Sequence, residues 1–481
     1  MNRWNAVPLA AALLIAGCGG TGGITVEEER EAGAAASRQV EEQVGIYPGA
    51  FVTTYVDTIG RRLVAKLGQT PYYFKFKVVD QAEPNAFATP GGYIFVSRGL
   101  LALINSEDEL AGILAHEISH VTERHHARQA QRGVLPGVLS LPGRAVGAVV
   151  GDDIGNIINA PVSVAGEAYL SSYGRGQESD ADRVGTQLAA SAGYDPAGLA
   201  RALSNLERTV VLLSGKTRKF GFFDSHPMTP NRIADIEKLS ASMQWQPTTP
   251  VAPTRPAVFK RLDGLTWGPN NPQQGVFDGQ QFMQPDMNLS MTFPAGWRTL
   301  NTPRYVGAFA PGEDGIMLFG APEEPGSAAE LANAFAAEVS EAAGIEPVPP
   351  IATTVGDWPA WVVKLDDSSG QEPVSVYYVW VDAQGAIFQI VAFGPQRYFE
   401  PMRDSAQSLR RMTPDELDSI VAQRIRIESA IAGESYEMLS VRTGNAMTAD
   451  LTAAINGKPV TAELDAGEPV KILREEPYFG D

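Results

Sequence analysis

The stretch His116-Glu117-Ile118-Ser119-His120 constrains this chain more than any other five residues. Upstream, Ser106 and Glu109 form an S-x-x-E capping box, and Leu110, Ile113 and Leu114 follow at helical spacing. The motif is therefore predicted to ride on a capped, apolar helix. Residues four apart share a helix face, so both imidazoles reach one metal ion with Glu117 beside them as a base. All five histidines (His116, His120, His125, His126 and His226) fall in the same part of the chain. Chemistry that needs imidazole is confined there.

Two histidines leave a zinc ion short of ligands, because a catalytic site uses three protein ligands and keeps a fourth position for water. No H-x-x-G-x-x-H extension follows His120, which excludes the metzincin arrangement. On a straight helix His125 lies about 13 Å of rise beyond His116 and points away, so His125 and His126 read as helix-surface or supporting residues. The third ligand is expected in Gly176-Gln177-Glu178-Ser179-Asp180-Ala181-Asp182. There Glu178 opens a helical stretch, and Asp182 lies one turn on, able to hold a ligating imidazole by its other nitrogen. Two imidazoles and a carboxylate suit Zn²⁺, one ion per chain.

With 481 residues, 44% of them hydrophobic, the chain is too long for one ordinary domain and too apolar for a disordered one. Acidic residues outnumber basic ones 56 to 38, for a net charge of −18. That balance argues against nucleic acid as a partner, since phosphate neutralisation needs clustered Lys and Arg. The single cysteine rules out an intramolecular disulfide and a Cys-rich zinc module. It is Cys18, which follows a basic start at Arg3, an apolar run over 6–17 and small residues before a cut site, the pattern of a secretory signal. Ile15-Ala16-Gly17-Cys18 resembles the lipobox of bacterial lipoproteins. That resemblance implies a lipidated Cys18 and a periplasmic protein anchored to the outer membrane. Further on, the best candidate span, 133–170, is broken by prolines and charges and is too short of apolar residues to cross a bilayer.

Along the chain, Val26–Gln43 reads as a helix and 51–67 has helical spacing, while 72–79 and 93–96 read as strands, the second introduced by Pro90-Gly91-Gly92. Helices dominate 106–243. The Gly-rich segment 133–166 reads as a lid over the cleft or as a hairpin of short helices. Residues 246–257, rich in proline, read as a linker. Beyond it, 258–412 alternates short strands with a helix at Ala328–Ala343, and 413–481 mixes strand-like runs with Gly, Asn and Pro turns. The aromatic residues Trp358, Trp361, Tyr377, Tyr378 and Trp380 read as core and cross-strand pairs.

The H-E-x-x-H with His125, the E-x-x-x-D pair Glu178/Asp182, and the upstream run from Asn85 through Ala86-Phe87-Ala88-Thr89-Pro90-Gly91-Gly92 to Val96 together resemble the HtpX and CAAX-prenyl-protease type of zinc metallopeptidase. The similarity runs over about 44–243, and within that family it favours the periplasmic branch that degrades damaged or stalled outer-membrane proteins. It implies an α+β multidomain fold led by a mainly helical, gluzincin-type domain at 19–245 with a short edge-strand sheet. His116, His120 and Glu178 would be zinc ligands, Glu117 the general base, and Asp182 and Arg232 residues that support them. His226, before Pro227, would be a transition-state donor, a reversible fourth ligand, or a plain loop histidine. The strand at 93–96 is expected to be an edge to which an extended substrate adds.

The middle region, 258–412, resembles small α/β sandwich domains of the PsbP-like kind, and 413–481 a degenerate LysM module. The implied function is hydrolysis of unfolded or misassembled envelope proteins. Two alternatives remain at this stage: a chaperone or assembly factor working beside the outer-membrane assembly machinery, and an adaptor tethered to peptidoglycan.

Overall fold

The computed structural model describes residues 24–131, 172–213, 221–229, 231–343, 345–346, 348–368 and 372–479. The signal segment with Cys18, and the Gly-rich segment 133–166, lie outside the described residues.

Helix α1 (Val26–Gln43) starts at a capping box, where Thr25 Oγ1 accepts from the Glu28 N–H at 3.2 Å and Glu28 Oε2 accepts from the Thr25 N–H at 2.6 Å. Helix α2 (Ala50–Val64) buries Val52, Tyr55, Val56, Ile59 and Leu63, one stripe of a helix. A three-stranded sheet follows, made of β1 (Lys75–Val79), β2 (Ala86–Thr89) and β3 (Tyr93–Ser97). Its order is β1-β3-β2, with β3 parallel to β1 and antiparallel to β2. The strand expected at the edge is therefore the central one. Its burial accounts for this: Ile94, Phe95 and Val96 are covered on both faces, as a central strand requires. The outer side of β1 is taken by the Tyr47 N–H bond to Val78 O, which among the described residues leaves β2 as the other edge, beside the H-E-x-x-H motif.

Helix α3 (Arg98–Leu101) leads into α4 (Glu107–Thr122), the carrier of the motif. Ser106 Oγ caps α4 by accepting from the Glu109 N–H at 3.2 Å. The Glu109 carboxylate reaches one residue further back than the capping box expects and accepts from the Asn105 N–H. Every residue from Glu109 to Val121 is buried, so α4 is the central rod of its domain. After Thr122 the chain turns through Arg124 (φ 54) and starts a new helix, α5 (His125–Gln131).

Helix α6 (Arg175–Ser191) lies directly on α4. A Cβ on Gly185 would sit 2.9 Å from His116 Cα, so only glycine allows that approach. Helices α7 (Gly198–Leu213), α8 (Phe222–Ser225) and α9 (Arg232–Ala241) complete this bundle. The proline-rich stretch read as a linker is pinned to it: Glu107 accepts from the Val251 and Ala252 N–H groups, and Thr248 N–H bonds Gly193 O. It runs into α10 (Arg255–Leu262).

The next unit holds a small antiparallel sheet of β4 (Val276–Asp278), β5 (Gln281–Gln284) and β6 (Leu289–Thr292). It also holds a seven-stranded antiparallel sheet, in the order β10-β11-β12-β13-β9-β8-β7. Those strands are β7 (Arg298–Asn301), β8 (Tyr305–Phe309), β9 (Ile316–Gly320), β10 (Ile351–Val355), β11 (Trp358–Asp367), β12 (Val374–Ala383) and β13 (Ala386–Pro395). Alternation splits β12 between two cores. Tyr377, Val379 and Val381 face one, while Val376, Tyr378 and Trp380 face the other, against α11 (Ala328–Ala343). Trp361 and Trp380 are direct cross-strand partners. Helix α12 (Phe399–Gln407) closes the first core through Met402 and Ala406.

The last unit begins with α13 (Pro414–Ser419) and pairs β14 (Val421–Ser429) antiparallel with β15 (Pro469–Pro477). Between the two strands lie α14 (Tyr436–Thr443) and α15 (Ala449–Ile455). Ile425, Met447, Ile455 and Leu473 belong to the same apolar cluster as Leu110, Ile113 and Leu114 of α4. This unit is thus built into the core around the motif.

Candidate metal centre

Helical spacing puts His116 and His120 one above the other on α4, and their Nε2 atoms lie 3.0 Å apart. Helix α6 brings Glu178 against them, with Oε1 at 3.4 Å from His120 Nε2 and Oε2 at 3.7 Å from His116 Nε2. The turn after α8 adds His226, whose Nδ1 is 3.3 Å from His116 Nε2 and 3.1 Å from Glu178 Oε1. These four residues form a group of metal-binding type in which every ligand atom lies within 4.8 Å of the others, all of them buried. Four ligands at zinc-like bond lengths around one centre would stand about 3.3 Å apart. The separations of 3.0–3.4 Å between four of the pairs fit that size, and Glu178 Oε2 stands slightly farther from His116, at 3.7 Å.

The protons fit as well. A ring that offers Nε2 to the centre carries its proton on Nδ1. For His116 that proton faces Asp182 Oδ1 at 3.0 Å, and for His120 it faces His125 Nδ1 at 2.9 Å. His125 reaches this position because the chain breaks at Arg124, which is why a straight-helix reading sends it elsewhere. Arg232, at the start of α9, holds the acidic side: Nε and Nη2 donate to Asp182 at 2.6 and 2.8 Å, and Nη1 lies 2.6 Å from Glu178 Oε2.

Glu117 lies beside this group, against His226, with Oε1 3.4 Å from His226 Nε2. Neither Glu117 oxygen has a hydrogen-bond donor among the described residues, although both are buried. A buried carboxylate without a donor is costly unless something else occupies the site, and a water is the natural donor. Burial pushes the Glu117 carboxyl above its ordinary value. Burial acts on Glu178 in the same direction, but His226, His120 and His116 outweigh it and hold Glu178 well below the carboxylate range. Burial lowers His120 well below the usual imidazole value, which favours the neutral, ligating form.

The structure brings together every residue that the sequence assigned to the site: His116, Glu117, His120, Glu178, Asp182, His226 and Arg232. One that the sequence did not single out is Tyr173. Its ring stacks on His120 at 3.7 Å, and its hydroxyl meets His126 Nε2 at 2.7 Å. His126 Nε2 also bonds Ala88 O on the β2 edge at 2.9 Å. No motif surrounds Tyr173, so only the tertiary contact reveals it.

Residues 51–240 match the family model described as Peptidase family M48. The chain is 29% identical over 233 residues to a beta-barrel assembly-enhancing protease of Yersinia pestis, covering 47% of this chain and 46% of that one. It is 31% identical over 217 residues to a putative beta-barrel assembly-enhancing protease of Vibrio cholerae, covering 44% of each. It is 28% identical over 240 residues to the mitochondrial metalloendopeptidase OMA1 of Schizosaccharomyces pombe, covering 47% of this chain and 64% of that one. The chain thus spans about half the length of the bacterial relatives it matches.

Proposed function

We propose that this chain, whose residues 51–240 match the model of Peptidase family M48, is a zinc metalloendopeptidase that cuts unfolded or misassembled proteins of the cell envelope. The observation that carries this reading is the convergence of His116, His120 and Glu178 on one point, with a buried, donorless Glu117 at their side. When bound, zinc supplies Lewis acidity and brings the pKa of its water to about 7. Glu117 takes the proton from the attacking water and passes it to the leaving amine. Asp182 and His125 fix the tautomers of His116 and His120. Arg232 neutralises Glu178 and Asp182 and holds both in place.

His226 Nδ1 stands where a fourth ligand would, with Nε2 turned to Glu117. A site with four protein ligands is closed to water, so His226 has to leave for hydrolysis to proceed. Removing it by His226→Ala is expected to keep zinc in the protein and raise the rate of casein cleavage. A fall in rate with zinc retained would make His226 a catalytic donor instead.

The edge available to an extended substrate is β2, and its Ala88 carbonyl is held by His126. The names of the bacterial relatives point to outer-membrane proteins as clients, and the lipobox at Cys18 to anchoring at the outer membrane. No helix among the described residues is long and apolar enough to cross a membrane. Helix α11 on one face of the seven-stranded sheet supports the reading of 258–412 as a small PsbP-like α/β sandwich. The packing of β14 and β15 into the α4 core favours a structural role for the LysM-like unit over a peptidoglycan tether. Metal analysis of the purified protein tests the ligand set: one zinc per chain is expected, and its loss in Glu178→Ala. Full zinc retention in Glu178→Ala would remove Glu178 from the ligands.

A further inference from the structure

The middle unit contains a groove that the metal centre does not use. Helix α11 lies over β11 and β12 on one face of the seven-stranded sheet, and beside it a cavity of about 230 Å³ remains. Its floor includes Leu318 on β9, Trp380 on β12 and Val391 on β13, and its wall is Phe335 of α11. Phe335 stacks on Tyr378 with ring centres 4.1 Å apart and meets Trp380 at 5.5 Å, so the aromatic side is rigid. The rim has the opposite character. Glu323, Glu324 and Glu338 line it, all three exposed. Helix α11 carries Glu330, Glu338 and Glu341 and no Lys or Arg. Arg304 is paired with Glu323, whereas no cation among the described residues pairs with Glu324 or Glu338.

We propose that this groove binds an extended polypeptide segment at an arginine or lysine flanked by apolar side chains. Long cationic side chains lay their methylene stems on apolar surface and keep the charged head at the rim. Here the floor and Phe335 take the stem and its apolar neighbour, while Glu324 and Glu338 take the charge. The volume decides between a side chain and a whole small molecule. Pockets for drug-sized ligands occupy roughly 300–1,000 Å³, so this one suits one or two side chains of a larger partner. An anionic partner is disfavoured by Glu324 and Glu338, whose charges no neighbouring cation offsets among the described residues. The groove lies outside the peptidase domain, so its occupancy does not depend on zinc.

Calorimetric titration of the full chain with two peptides, in chelator so that neither is cut, tests this. One peptide is acetyl-Leu-Arg-Phe-Arg-Leu-Ser amide and the other has both arginines replaced by glutamate. The arginine peptide is expected to bind saturably, at least tenfold tighter than the glutamate peptide and more weakly at high salt. Two variants with unchanged melting temperature, Ala334→Trp in the wall and the double change Glu324→Lys with Glu338→Lys at the rim, are each expected to weaken it tenfold or more. Three results would overturn the proposal: no saturable binding, equal binding of the two peptides, or unchanged binding in both variants. The last would mean that the peptide sits elsewhere.

Discussion

At the residue scale, the site depends on where each imidazole keeps its proton. His120 can present Nε2 only while Nδ1 has a partner, and that partner is His125, delivered by the break at Arg124. Replacing His125 with phenylalanine keeps the ring packed and removes the hydrogen bond. Zinc affinity is then expected to fall about 10–100-fold, the usual cost of losing such a support, as measured by competition with a chromophoric chelator. Unchanged affinity would show that His125 only fills space. The residues that converge at the centre were legible in the sequence, because i,i+4 spacing in an apolar helix and an E-x-x-x-D pair are local patterns. The role of His125 was not, because it rests on one residue with positive φ between two helices. Tyr173 was hidden for a related reason: an aromatic ring acquires its role from whatever it stacks against.

At the element scale, α4 shows both the reach and the limit of pattern reading. Its apolar periodicity and its N-terminal serine give the helix, and Ser106→Ala is expected to destabilise the protein by about 1 kcal/mol, measured by chemical denaturation. Glu109, read as the other half of the box, bonds Asn105 instead, a shift of one residue that the S-x-x-E pattern does not encode. Strand order was less legible still. The run at 93–96 marks a strand, but whether that strand is central or at the edge depends on pairing with 75–79 and 86–89, which no local signal fixes.

A titration tests one helix end. Arg410, aided by the Thr413 N–H, holds the Glu416 carboxyl down at about 2 from an ordinary value of 4.5. A depressed carboxylate stabilises the fold above its unfolded pKa and loses that contribution as pH falls through the folded one. Glu416→Gln is therefore expected to melt below the wild type at pH 7, with the gap closing between about pH 4.5 and 2. A gap that stays constant over that window would mean that the ion pair contributes nothing.

At the scale of the whole molecule, the C-terminal unit is fastened to the segment that leads into α4, the helix with the candidate metal centre. Lys471 on β15 is fully buried and donates to Ala102 O at 2.8 Å and Ile104 O at 3.0 Å, just before α4 begins. It also lies over the Phe259 ring at 4.8 Å. In the sequence it is one lysine in a strand-like run, and nothing near it announces a contact 369 residues away. Lys471→Met leaves two carbonyls buried without donors and is expected to cost about 3 kcal/mol. The loss should appear in the melting of the helical unit around α4, read by the release of zinc on heating. If zinc release is unchanged, the last unit is not part of the core around α4.

Glu117 is expected to work as a base beside a metal held by His116, His120 and Glu178. Digestion of casein by the wild type and by Glu117→Gln, with zinc content measured on the same samples, tests it most directly. The prediction is one zinc per chain in both proteins, cleavage by the wild type that chelation abolishes, and a rate lower by about 10²–10⁴ in the variant. Equal cleavage by both proteins, or cleavage that survives complete removal of the metal, would contradict the account.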